Sequence, residues 1–169
     1  MNKIEVVSYD KNWKNDFLKI KEELFAVLKD LIIGIEHIGS TSVEGLSSKP
    51  CIDLDIIIKD YEVFDNVKKA LGKIGYIYEG DLGIKDRIAF TYIDKPHVKN
   101  HHLYVCPIYS EELKRHLIFR DYLRRNIDDR LKYEQIKIEG VFLYPNNIDK
   151  YIEHKSKVIK DIYRECGLE

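Results

Sequence analysis

The 169-residue chain carries 28 Lys and Arg against 29 Asp and Glu, a formal charge of −1, and 44% apolar residues. That length predicts one domain, residues 1–169, with a core of its own. The near-neutral, interspersed charge excludes a general polyanion binder, so no extended nucleic-acid surface is expected, while small anionic ligands stay open. No apolar run approaches the roughly 20 residues that span a bilayer, the opening Met1-Asn2-Lys3-Ile4-Glu5 has no apolar signal core, and Cys51, Cys106 and Cys166 stand in no metal-ligand pattern. A cytoplasmic protein with structural thiols, away from membranes, is the expectation.

Asp10 can cap a helix from about Lys11 to Asp30, whose Trp13, Phe17, Ile20, Leu24, Leu28 and Leu31 trace one apolar stripe. Leu31 to Ile38 reads as a buried strand ended by Gly39-Ser40, where glycine permits a sharp turn and close approach of a ligand. Ser40, Thr41 and Ser42 supply hydroxyls and backbone N–H groups that suit phosphate oxygens, although the tetrad taken alone reads first as a Ser/Thr turn capping a short helix. Pro50 opens a second strand, Cys51 to Lys59. Side chains alternate across a strand, so Asp53 and Asp55 share one face and Ile52, Leu54 and Ile56 the other. Two carboxylates that close repel unless a cation lies between them, and their oxygens suit Mg²⁺ (or Mn²⁺) carrying substrate phosphates.

Tyr61 to Ile74 reads as an amphipathic helix stopped by Gly75, followed by three β-like pieces, Tyr76 to Glu79, Arg87 to Ile93 and His101 to Cys106. The last third is helical: Glu111 to Asn126 with Ser110 as cap, Asp128 to Ile138, and Asn147 to Cys166. The sum is an α+β fold, with a mixed, mostly antiparallel sheet of about five strands and packed helices.

Several cations fall on the wrong face. At helical spacing His116, Arg120 and Arg124 share an arc with Leu113, Leu117 and Ile127, and a buried Arg must meet a carboxylate or a bound anion. Lys155 lies within an apolar face made by Ile148, Ile152, Ile159 and Ile162, where it either snorkels or reaches a cleft. Arg87 reads as a phosphate contact or a surface residue, His102 as hydrogen-bonded structure or a ligand, and Lys137 carries little weight. A carboxylate pair asking for a metal and cations asking for an anion are both satisfied by a metal-bound phosphorylated ligand.

Ile38-Gly39-Ser40, twelve residues, then Asp53-Leu54-Asp55-Ile56 resembles the signature of the DNA polymerase beta-like nucleotidyltransferase superfamily. Trp13, His37 to Val43, Gly45-Leu46, Lys49-Pro50, Ile52-Asp53, Gly83 with Arg87, His102-Leu103, the run His116 to Arg124, and Tyr151 with Lys155 resemble the GrpB family, also found fused to bacterial dephospho-coenzyme A kinases. The resemblance implies that Gly39 and Ser40 hold the triphosphate and that Asp53 and Asp55 ligate Mg²⁺ for transfer of a nucleotidyl group from an NTP to a small acceptor. Thr41, Ser42, Lys49, Arg87, His116, Arg120, Arg124 and Lys155 are the further candidate phosphate contacts. Active superfamily members place a third acid on a later strand; neither 87–93 nor 101–105 contains one, and His102 is the candidate for that place. The alternative is a module that binds a nucleotide or coenzyme A precursor without transfer.

Overall fold

A computed structural model describes residues 3–169; Met1 and Asn2, part of the segment read for a signal core, lie outside the described residues. Five strands, β1 (Gly34–Ile38), β2 (Ile52–Ile58), β3 (Ile77–Gly80), β4 (Ile88–Thr91) and β5 (His101–Pro107), form one open sheet in the order β1-β2-β5-β4-β3. Neighbours are antiparallel except β2 and β5, which run parallel. The α+β class and the mixed, mostly antiparallel sheet are therefore as expected. Among the described residues no helix is long and apolar enough to cross a membrane.

Alternation along β2 divides the two layers. Ile52, Leu54, Ile56 and Ile58 join Ile35, Phe90, Leu103 and Val105 on one face. This face packs under α1 (Trp13–Leu28), which buries Trp13, Ile20, Leu24 and Leu28, and under α2 (Phe64–Lys73), which buries Val67 and Leu71. Asp10 acts slightly ahead of the helix, its Oδ1 accepting from the Asn12 N–H at 2.9 Å. On the opposite face Ile57 and Cys106 pack with Leu113 and Leu117 of α3 (Glu111–Arg125), capped by Ser110 through the Leu113 N–H. Asp53 and Asp55 are on this second face.

A smaller cluster of Val43, Leu46, Leu123, Tyr133 and Ile162 ties the loop after β1 to α3, α4 (Ile127–Leu143) and α5 (Ile148–Glu165). Here three expectations are corrected. α4 continues five residues past Ile138, through Gly140, because Tyr151 packs there: a Cβ on Gly140 would meet Tyr151 Cδ2 at 2.9 Å. Ile127 opens α4 and is exposed instead of extending the α3 arc, and Ile148 and Ile152 are exposed while Tyr151 and Ile162 form the buried side of α5.

The connection between β4 and β5 is latched to the helical layer. Lys95, buried, donates to the Ile74 carbonyl at 2.7 Å and pairs with Glu23 of α1 at 2.6 Å, and Glu23 also holds His97 at 2.5 Å. Tyr76 and His101 bond at 2.6 Å beneath it. This network sets where β5 begins, and so where His102 stands.

Candidate active site

Register alone brings the first residues together. Asp53 pairs with Ile38 on one side and His102 on the other, and Asp55 with Glu36 and Tyr104. Directly opposite residues share a face, so Glu36, Asp53, Asp55, His102 and Tyr104 all belong to the α3 side of the sheet.

Each carboxylate has a histidine. His102 Nδ1 lies 2.8 Å from Asp53 Oδ1, and His116 Nδ1 lies 2.6 Å from Asp55 Oδ2. Their environments differ: Asp53 is partly open, whereas the Asp55 side chain is 0% exposed and its Oδ1 is buried with no hydrogen-bond partner. Burial pushes the Asp55 carboxyl above its ordinary range, against the pull of His116. For His116 burial works the other way, and the hydrogen bond and charge of Asp55, helped by Glu112, outweigh it and raise the imidazole. Asp53, with Cys51 behind it, holds His102 well above its ordinary value. Arg87 lies over the Tyr104 ring, 4.4 Å from its centroid, and acts on Asp55.

The turn after β1 explains its glycine. Gly39 has φ 72° and ψ −175°, a conformation essentially confined to glycine. A Cβ there would lie 2.5 Å from Asp53 Oδ2. Gly39→Ala is expected to cost about 1–3 kcal/mol through the backbone alone, read as a lower denaturant midpoint, and to push the Asp53 carboxylate out of place. Thr41 and Ser42 are buried and spend their hydroxyls locally, Thr41 Oγ1 on His37 Nε2 at 2.8 Å and Ser42 Oγ on the Gly39 carbonyl at 2.5 Å. Burial, then the charges of Arg124 and Arg120, lower His37 to about 4, so a neutral ring stacked on Phe17 supports the turn.

Ser40 is different, because a lysine reaches it. Lys137, 2% exposed, donates to Ser40 Oγ at 3.0 Å and to the Ser47 carbonyl at 2.5 Å, and lies 4.6 Å above the Tyr133 ring. Burial and then the charge of Lys155 lower its pKa to about 7. Lys155 is itself lowered to about 8, by burial and then by Lys49, while Asp53 pulls in the other direction. Lys155 and Lys49 both lie over the Tyr151 ring, at 4.6 and 5.7 Å. Three lysines thus crowd one another beside Ser40 and Asp53.

Lys137 is the residue that sequence reasoning missed. Lys137 falls one turn after the buried Tyr133 and belongs to the inner face of α4. Glu36 was also passed over as an acid on the metal-facing side, but Arg120 engages it at 2.7 Å. Arg120 further bonds Asp121 and the His37 carbonyl, and Arg124 donates twice to the Ser42 carbonyl. These two arginines brace the turn from behind, and His116 is a carboxylate partner. Gly39, Ser40, Lys49, Asp53, Asp55, His102 and Lys155 lie together, with Lys137 among them.

The unpartnered Asp55 Oδ1 and the accessible Asp53 offer hard oxygens, and Mg²⁺ is commonly held by one or two carboxylates together with substrate phosphates and water. Among the described residues no group of three His, Cys, Asp or Glu side chains is placed to hold an ion alone. The residues fit a divalent ion that arrives with its phosphates. A cleft of about 680 Å³ beside them is lined by Lys49, Cys51, Tyr92, Asn100, His102 and Ile148. A larger cavity of about 770 Å³, away from this site, is lined by Asp128, Asp129, Asp161 and Glu165 together with Arg125 and Lys132 and contains none of the candidate residues.

Sheet order, the Gly39-Ser40 turn and the Asp53/Asp55 strand together make this a nucleotidyltransferase fold. The likeness extends to the GLD-2/RNP-8 complex, with a TM-score of 0.58, 15% identity, and coverage of 95% of this chain and 62% of that chain. The family model described as GrpB protein matches residues 3–165, and the chain belongs to the GrpB family. It is 34% identical to the conserved protein GrpB from Enterococcus faecalis, whose crystal structure superposes with a TM-score of 0.84 over 96% of each chain. It is 33% identical to the UPF0157 protein YqkA of Bacillus subtilis over 94% of this chain, which spans 46% of that relative.

Proposed function

We propose that this protein transfers a nucleotidyl group from a nucleoside triphosphate, bound with Mg²⁺ or Mn²⁺, to a small acceptor. The observation that carries the reading is an acid and a cation on the two sides of one turn: Asp53, against Gly39, with Asp55 next to it on the same face and its Oδ1 buried without a donor, and Lys137, buried and bonded to Ser40 Oγ with Lys155 nearby. A divalent ion bound at Asp53 and Asp55 would neutralise charge on the transferring phosphoryl group. Ser40, Lys49, Lys137 and Lys155 hold the phosphate chain, Gly39 keeps the approach to Asp53 open, and His102, held protonated by Asp53, lines the 680 Å³ cleft where the acceptor would sit, the acceptor's proton leaving to bulk water. One acceptor-oxygen-to-phosphorus bond forms, the bond to the β-phosphate oxygen breaks, and pyrophosphate leaves.

A second reading is favoured by one observation: β4 and β5 carry no third carboxylate, and Glu36 is committed to Arg120. On that reading the protein binds a nucleotide or coenzyme A precursor and transfers nothing. The experiment is incubation with each α-labelled NTP, Mg²⁺ or Mn²⁺ and a metabolite extract, with melting curves taken in parallel. Transfer predicts label on an acceptor and released pyrophosphate; stabilisation by NTP with metal but no labelled product supports binding only. Metal alone is expected to leave the melting temperature unchanged, since the phosphates complete its coordination.

Lys137 gives an independent check without any ligand. An unfolded lysine keeps its proton up to about pH 10.4, whereas the folded one releases it near 7. The unfolded state therefore binds more protons between these values, and stability rises with pH. The unfolding free energy of the wild type minus that of Lys137→Met is expected to climb from pH 7 to 9, approaching about 1.4 kcal/mol per unit. A flat difference would mean that the amine is not held as an unpaired buried cation.

A further inference from the structure

We propose that the outer face of α4 is a homodimer interface in which two copies of this chain pair antiparallel through Leu131, Gln135, Ile138 and Phe142. The inner face of α4 is fully committed, burying Tyr133, Lys137 and Gly140 and holding Ser47 through Glu134. The outer face should then be polar, as on a solvated helix. Instead Leu131 is 52%, Ile138 53% and Phe142 83% exposed. Positions 131, 135, 138 and 142 follow the alternating four-and-three spacing of a coiled-coil seam, the pattern that keeps one stripe facing another helix.

The charges beside the stripe select the occupant. Lys132 follows Leu131 on one edge, and Glu139 follows Ile138 one heptad later on the same edge. An interface between identical copies requires a self-complementary patch. In an antiparallel pair like edges meet, so Lys132 faces Glu139 of the partner subunit and the reverse pair forms at the other end. The same alignment lays Phe142 over Leu131 of the partner subunit. Within the chain Lys132, 73% exposed, reaches Asp129 only at 3.8 Å, and Glu139 lies 3.3 Å from His154 Nε2 through Oε1 while its side chain stays half exposed at the edge of the seam. Balanced signs along the stripe give no field that would steer a strongly charged partner such as nucleic acid. One helix of 17 residues is about 25 Å long, a seam smaller than the roughly 800 Å² per partner of a standard interface. The dimer is accordingly weak and concentration dependent.

Sedimentation velocity on the full chain from about 1 to 200 µM, a range that brackets micromolar dissociation constants, tests this. The expected result is a shift from the 20.0 kDa monomer towards twice that mass, weakened at least tenfold by Phe142→Glu with the melting temperature unchanged. Lys132→Glu should weaken pairing, and the double variant Lys132→Glu/Glu139→Lys should restore it. A 20.0 kDa species throughout, a dimer untouched by Phe142→Glu and Leu131→Glu, or failure of the charge swap to restore pairing would each overturn the proposal.

Discussion

Under the proposed nucleotidyl transfer, Asp53→Asn is expected to lower the rate by about three orders of magnitude while the melting temperature falls by no more than about 4 °C. Charge stabilisation at a metal-held phosphate is worth several kcal/mol, and each 1.36 kcal/mol is tenfold in rate. The amide keeps the shape of the side chain, so the clearance against Gly39 is unaltered, but it offers a divalent ion no negative oxygen. Asp53 is 29% exposed and outside the core, and the contact the amide weakens is its ion pair with the exposed His102, worth about 1 kcal/mol at most at such exposure, a melting shift of about 2–4 °C for a chain of this size. The measurement is single-turnover transfer of the α-labelled phosphate beside a melting curve. Unchanged transfer in this variant would remove Asp53 from the metal site.

The second large effect is on the fold. His116→Ala is expected to destabilise the protein by about 3–5 kcal/mol, the cost of removing one member of a buried ion pair. Asp55 is left 0% exposed with neither oxygen bonded, since His116 supplied the one contact to Oδ2 and Oδ1 had none. The charge of Arg87 offsets part of this at a distance. Asp55 titrates higher in the folded state than unfolded, so the folded state binds more protons above the ordinary carboxylate range, and stability falls as pH rises through that window. The His116→Ala variant should show this more steeply than the wild type, and the gap between them should narrow as pH is lowered towards 5. Urea unfolding at several pH values measures it; a loss under 1 kcal/mol would show that Asp55 is already neutral beside His116.

Much of this was legible in the chain. Alternation along Ile52 to Ile58 placed the two aspartates on one face, and the helix and strand limits fell within a few residues because apolar spacing and the caps at Ser110 and Asn147 are local signals. What was not legible depends on distant partners. Arg120 and Arg124 had to meet either carboxylates or a bound anion, and helical spacing could not choose, because it reports which way a side chain points and not what it meets. Their partners, Glu36 and the Ser42 carbonyl, come from segments 84 and 82 residues away. Lys137 was passed over for a related reason: it lies one turn after Tyr133 inside the expected helix, but a lysine there reads as solvated until the partners Ser40 and Ser47, 97 and 90 residues away, are in place.

The parallel pairing of β2 with β5 has a consequence for how the molecule is made. The contact of His102 with Asp53 closes a span of 49 residues, and that of Lys137 with Ser40 a span of 97. Chain entropy must be surrendered before contacts so remote in sequence can reward it. The hairpin of β3 and β4 and the separate helices can order early, because their contacts are near neighbours along the chain. The carboxylate strand, its histidine and the lysine helix come together only when sheet and helical layer close on each other. During refolding, ligand competence should therefore emerge in the slowest phase, after most helical signal has returned.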